Sequence, residues 1–80
     1  MYFLYILLCA DNTLYTGITT NLPRRLKEHN SPKIGAKYTR ARRPVKLVYS
    51  ASFPDRSSAL IAESQIKKLS RLQKLTLIKA

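Results

Sequence analysis

An α/β sandwich of element order ββαβαα, built on a small and mainly antiparallel sheet, is the fold class this 80-residue sequence predicts. Two aromatic and β-branched runs, residues 2–9 and 13–19, are separated by little more than "ADN". A third alternating run, "VKLVYSA", follows a basic stretch rich in turn residues. Three helical patterns, each with a residue able to cap its start, fill the remaining chain. A chain this short buries only about 60 to 65% of the surface its unfolded form exposes, so one domain spanning 1–80 with one core is expected.

The first two strands form a hairpin whose register depends on loop length, because side chains alternate faces along a strand. A two-residue loop at Asp11 and Asn12 would pair Tyr5 with Ile18 and place Tyr5 and Tyr15 on opposite faces. A three-residue loop, Ala10 to Asn12, pairs Tyr5 with Gly17 and Leu7 with Tyr15; it needs Asn12 in the left-handed conformation that asparagine tolerates. The second register collects Leu4, Ile6, Leu8, Leu14 and Ile18 on one aliphatic side, read as core. It leaves Phe3, Tyr5, Leu7, Tyr15, Gly17 and Thr19 on a mixed side able to carry a site, with Gly17 making room beside Tyr5.

Asn21 caps the first helix, Pro23 sits in its first turn, and "SP" ends it near Asn30. At 3.6 residues per turn, Leu22, Leu26 and His29 line one stripe, Arg25 borders it, and Arg24, Lys27 and Glu28 face water. Residues 31–44, "SPKIGAKYTRARRP", read as a basic loop with room for a helical turn. After the third strand, Pro54 and Asp55 open a helix through "RSSALIAESQIKKL", with Ala59, Ala62, Ile66 and Leu69 as its buried stripe and Glu63 on the edge. Ser70 caps the last helix, "RLQKLTLIK".

Fifteen Lys and Arg stand against four Asp and Glu, a formal charge of +11. Such an excess costs self-repulsion and points to a polyanion, nucleic acid before anionic lipid, since the cations are not gathered on one face of an amphipathic helix. The lone Cys9 cannot form an internal disulfide and lies in an apolar run, which favours the cytoplasm; "YFLYILLC" is too short to span a bilayer and lacks the flanks of a signal peptide.

Scarce residues exclude several chemistries. One Cys and one His cannot build a structural zinc site. Two-metal hydrolysis needs several carboxylates, yet Asp11 is in a turn, Asp55 is a cap and Glu28 is read as solvent-facing. Glu63 remains, enough for one cation, unless it merely pairs with Lys67 one turn on. A glycosidase carboxylate pair fails on the same count, and two glycines make no phosphate-cradling loop.

"LYI" at 4–6, "LYTG" at 14–17, Arg25 ten residues after Tyr15, His29, and Glu63 on a later helix together resemble the GIY-YIG nuclease superfamily. "GAKYTRARRP" and "KKLSRLQKLTLI" are similar to its small single-domain bacterial branch. The resemblance implies a central three-stranded antiparallel sheet flanked by helices and an endonuclease that hydrolyses phosphodiester bonds in DNA, in repair or processing of DNA structures. It implies that Glu63 holds Mg²⁺ or Mn²⁺, and that Tyr5 or Tyr15 orients or deprotonates the attacking water. Arg25 would neutralise the scissile phosphate, and His29 would assist proton transfer or phosphate binding. Phe3 stands where the first motif has glycine and Thr16 where the second has isoleucine. No Asn follows Asn30 to match the family's late one, so catalysis is expected either to be weak or to depend on another group, such as a Lys or Gln of the last helix.

Lys33, Lys37, Arg40, Arg42, Arg43 and Lys46 are the expected phosphate contacts, with DNA favoured over RNA. Two rivals are a binding module that keeps the fold without cleaving, and a domain whose charge engages an acidic protein.

Overall fold

The computed structural model describes residues 1–30 and 43–79. Six elements follow in the expected order: β1 (Tyr2–Leu8), β2 (Leu14–Thr19), α1 (Leu22–Asn30), β3 (Lys46–Phe53), α2 (Arg56–Lys67) and α3 (Arg71–Lys79). The strands form one antiparallel sheet in the order β2-β1-β3, so β1 is central. The basic loop expected over 31–44 lies, apart from Arg43 and Pro44, outside the described residues. No helix among the described residues is long and apolar enough to cross a membrane.

The hairpin adopts the three-residue loop. Tyr5 stands opposite Gly17 and Leu7 opposite Tyr15. Asn12 has φ 70°, a left-handed conformation that asparagine adopts at low cost. Its N–H donates to Cys9 O at 2.9 Å, and Cys9 N–H to Thr13 O at 2.9 Å. Asp11 Oδ1 accepts from both the amide and the hydroxyl of Thr13, at 3.2 and 2.6 Å, which pins the turn from outside.

Burial corrects the assignment of the two sheet faces. The aliphatic side is core as expected, with Leu4 and Ile6 at 0% exposure, but Tyr5 at 2% and Leu7 at 1% on the mixed side are just as covered. Since β1 is central, both its faces need a cover, and α1 supplies one: Leu22 and Leu26 pack on a cluster of Tyr5, Leu7, Cys9 and Val45. The mixed side is a second core that also carries polar groups. Nor is the other side wholly aliphatic. Thr16, opposite Ile6, is buried there, and its Oγ1 has no hydrogen-bond partner among the described residues.

Each helix start uses the foreseen cap. Arg24 N–H donates to Asn21 Oδ1 at 3.0 Å, and Ser58 N–H to Asp55 Oδ1 at 2.8 Å. At α3, Gln73 N–H donates to Ser70 Oγ at 3.2 Å while Ser70 N–H donates to Gln73 Oε1 at 2.9 Å, a reciprocal box. α2 packs across all three strands, with Ala59 fully buried. β3 runs two residues past "VKLVYSA", and its register with β1 shifts between Ile6↔Tyr49 and Leu7↔Leu47, so Val48 is an inserted residue.

α1 ends on a side-chain clamp. Val45 N–H donates to Asn30 Oδ1 at 2.7 Å, and Asn30 Nδ2 donates to Val45 O at 3.2 Å. The Asn30 amide thus imitates a strand backbone and ties the helix end to the residue before β3.

Candidate active site

Three elements deliver polar side chains to one place on the mixed face. β1 contributes Tyr5, β2 contributes Tyr15, and α1 contributes Arg25 and His29, one helical turn apart. The three-residue hairpin loop makes the first two meet, for it puts both rings on the face that α1 covers. Their centroids are 6.4 Å apart at 41°. His29 closes the group, 5.1 Å from the Tyr15 ring and 5.8 Å from the Tyr5 ring, each edge-to-face.

Gly17 permits this arrangement. A Cβ built there would lie 2.5 Å from the Tyr5 hydroxyl and 2.7 Å from the ring carbon bearing it. The tip of the Tyr5 ring therefore fills the space over the position opposite it in the ladder, and its hydroxyl reaches α1.

That hydroxyl is the junction of the site. His29 Nε2 is 2.9 Å from it, and Arg25 Nε–H donates to it at 3.3 Å. With the imidazole proton on Nδ1, Tyr5 accepts from Arg25 and donates to His29, so one oxygen links a guanidinium to an imidazole. Burial pushes the Tyr5 phenol up from its ordinary value, against the lowering influence of Arg25, and the charge of Glu63 adds a small further rise. Burial, followed by the positive charge of Arg25, lowers His29 from 6.5 to about 4. At neutral pH the pair is therefore a neutral phenol on a neutral imidazole.

Arg25 is only partly engaged. Its Nη1 also donates to Glu28 Oε1 at 3.1 Å, and about a third of its side chain is exposed. Glu28 corrects the helical-wheel reading: it does not face water but is 22% exposed, folded between Arg24, at 3.4 Å, and Arg25. The signal was present in the sequence, since residues three and four apart on a helix are neighbours. The Asn30 clamp was missed because its partner is a backbone group beyond the basic stretch.

Glu63 lies on α2, and its carboxylate is close enough for its charge to act on the Tyr5 phenol. Its side chain is 18% exposed, and Oε2 accepts from Lys67 Nζ at 3.5 Å. Among the described residues no three metal-ligating side chains come together. A single carboxylate suits a hard cation such as Mg²⁺, which keeps several waters and takes one or two carboxylates beside substrate phosphates. Glu63 would suit that mode, with the cation taking the place of the Lys67 ammonium that now pairs with it. Of the expected phosphate contacts, Arg43 is half-buried and Lys46 exposed at the start of β3. Lys33, Lys37, Arg40 and Arg42 lie outside the described residues.

The family model described as the GIY-YIG catalytic domain matches residues 1–76. A UPF0213 protein of Desulfotalea psychrophila is 60% identical over 79 residues, covering 99% of this chain and 72% of that one. Another from Syntrophus aciditrophicus is 58% identical over 77 residues, covering 96% and 88%. Two structures determined by NMR in solution are similar. The UPF0213 protein of Bacillus halodurans has a TM-score of 0.63 at 46% identity, over 99% of this chain and 84% of that one. A protein from E. faecalis has a TM-score of 0.67 at 49% identity, over 98% and 82%.

Proposed function

This chain belongs to the GIY-YIG family, a nuclease superfamily, and from that premise we propose that it is an endonuclease hydrolysing phosphodiester bonds in DNA with one divalent cation, Mg²⁺ or Mn²⁺. The observation that carries the reading is the Tyr5 hydroxyl, bridged to Arg25 on one side and His29 on the other.

The division of labour follows from charge. Arg25 presents a partly exposed guanidinium, whose planar fork can donate two parallel hydrogen bonds to a phosphate. The resting Tyr5 stays protonated, because its pKa lies above the ordinary phenol value. It acts as a relay: its oxygen takes a proton from the attacking water as its own proton passes to His29 Nε2. The imidazolium so formed is costly beside Arg25 alone, and a bound phosphate offsets that cost by placing negative charge among the three groups. This makes Tyr5 the proton acceptor and leaves Tyr15 to orient the water and pack against His29. Glu63 would hold the cation, which when bound would supply charge neutralisation at the phosphate.

A second reading is a cytoplasmic nucleic-acid-binding module that does not cleave. It is favoured by the burial of the very groups the chemistry needs, Tyr5 at 2% and His29 at 0% exposure. One assay separates the two. Single-stranded, duplex, flapped and branched DNA, with RNA counterparts, are incubated with the protein and Mg²⁺ or Mn²⁺. Cleavage that disappears in Glu63→Ala while binding persists supports the nuclease; binding without cleavage of any substrate supports the module.

A further inference from the structure

We propose that the corner between α2 and α3 is a second docking surface for a nucleic-acid backbone, made by Lys68, Arg71 and Lys74. This rests on the nucleic-acid reading above but concerns residues outside the candidate site.

The corner is tight. Lys67 ends α2 and Arg71 opens α3. Between them Lys68 N–H donates to Gln65 O at 3.3 Å and Leu69 N–H to Ile66 O at 3.0 Å, so the chain turns at once. Lys68 and Arg71 are exposed, and Lys74, half-buried, follows Arg71 by about one helical turn on the same side of α3. Lys67 has a partner in Glu63, at 3.5 Å. Among the described residues, Lys68, Arg71 and Lys74 have no acidic partner.

Lys68 suits its place as the C-cap of α2, but the placement of Arg71 and Lys74 works against α3. A helix N-terminus is the positive end of the macrodipole and favours acidic side chains, yet the first turn of α3 has none, and it carries Arg71 there with Lys74 next. Cations in a position the fold itself disfavours, on a chain already at +11, are explained by an external anion. The Gln73 amide is taken by the Ser70 hydroxyl and the Lys74 amide by the Ser70 carbonyl, and the surface proposed acts through side chains.

Charge selects the occupant. Three cations gathered at one corner with no acidic partner among the described residues, on a chain of net charge +11, suit a nucleic-acid backbone, which offers a linear series of phosphates.

The test is the salt dependence of DNA binding, read by fluorescence anisotropy for the unaltered protein, the triple variant K68Q/R71Q/K74Q and the charge-keeping K68R/R71K/K74R. Each duplex phosphate that the protein no longer neutralises lowers the slope of log K against log salt by about 0.9. The glutamine variant should lose one to three such steps and bind at least tenfold more weakly at low salt; the charge-keeping variant should match the parent. R71Q and K74Q remove cations from the disfavoured end of α3 and K68Q one from the favoured C-terminus of α2, so the glutamine variant should melt close to the parent, and weaker binding with an unchanged melting temperature cannot be put down to misfolding. An unchanged slope overturns the proposal, as does a variant that loses affinity for phosphatidylglycerol vesicles but not for DNA. Failure of the unaltered protein to bind DNA would instead overturn the nucleic-acid reading, and is seen without any variant.

Discussion

Tyr5 occupies the space that a side chain at position 17 would need: across the β1–β2 ladder, the glycine leaves the phenol a path to His29. The motif glycine is thus kept not for backbone freedom, since its φ is not positive, but for the close approach of one ring.

Gly17→Ala should therefore move the Tyr5 hydroxyl off His29. Overpacking of this kind costs about 1–3 kcal/mol, to be read from the urea midpoint, and cleavage should fall with it. Unaltered stability and activity would mean that the ring has room to retreat and that the hydroxyl position is unimportant.

The His29 shift makes a pH prediction whose sign is definite. With the folded value lowered from 6.5 to about 4, the unfolded chain binds a proton between those limits that the folded chain does not. The associated stability is complete above pH 6.5 and is lost as pH falls towards 4. It amounts to about 3 kcal/mol. His29→Gln should flatten this part of the stability profile; the same slope in both proteins would refute a buried neutral imidazole.

Glu28 holds Arg25 Nη1 at 3.1 Å, and in the proposed function it would compete with phosphate for that guanidinium. Glu28→Gln should release the guanidinium and tighten nucleic-acid binding roughly two- to fivefold, at a stability cost under about 1 kcal/mol, because a partly exposed pair is worth little. Weaker binding in that variant would show that Glu28 aims Arg25 rather than restrains it.

Thr16 offers a gain. Its hydroxyl is buried without a hydrogen-bond partner among the described residues, so Thr16→Val, equal in shape, should stabilise the fold by about 1–2 kcal/mol with the denaturant slope unchanged. A loss of stability would show that the hydroxyl has a role its surroundings conceal.

Local signals were the legible ones. The strand register followed from loop length, the left-handed tolerance of Asn12 and hydrophobic alternation. Asn21, Asp55 and Ser70 marked the helix starts because a cap acts within three residues of itself. Sequence could not show that α1 would cover the mixed face, since a tyrosine reads equally well as packing or as a site, and at Tyr5 it is packed and hydrogen-bonded together. Nor could it show Glu63 acting on Tyr5 or Asn30 gripping Val45, because both depend on how elements distant in the chain dock.

The Asn30–Val45 clamp has a consequence for divergence within the family. Two hydrogen bonds fasten the borders of the interval from 31 to 44, so the framework holding His29 need not depend on what is inserted between them. Because the entropy of closing a loop grows only slowly, doubling that interval adds roughly 0.6 kcal/mol. A change of length there would leave the Tyr5–Arg25–His29 group where it is.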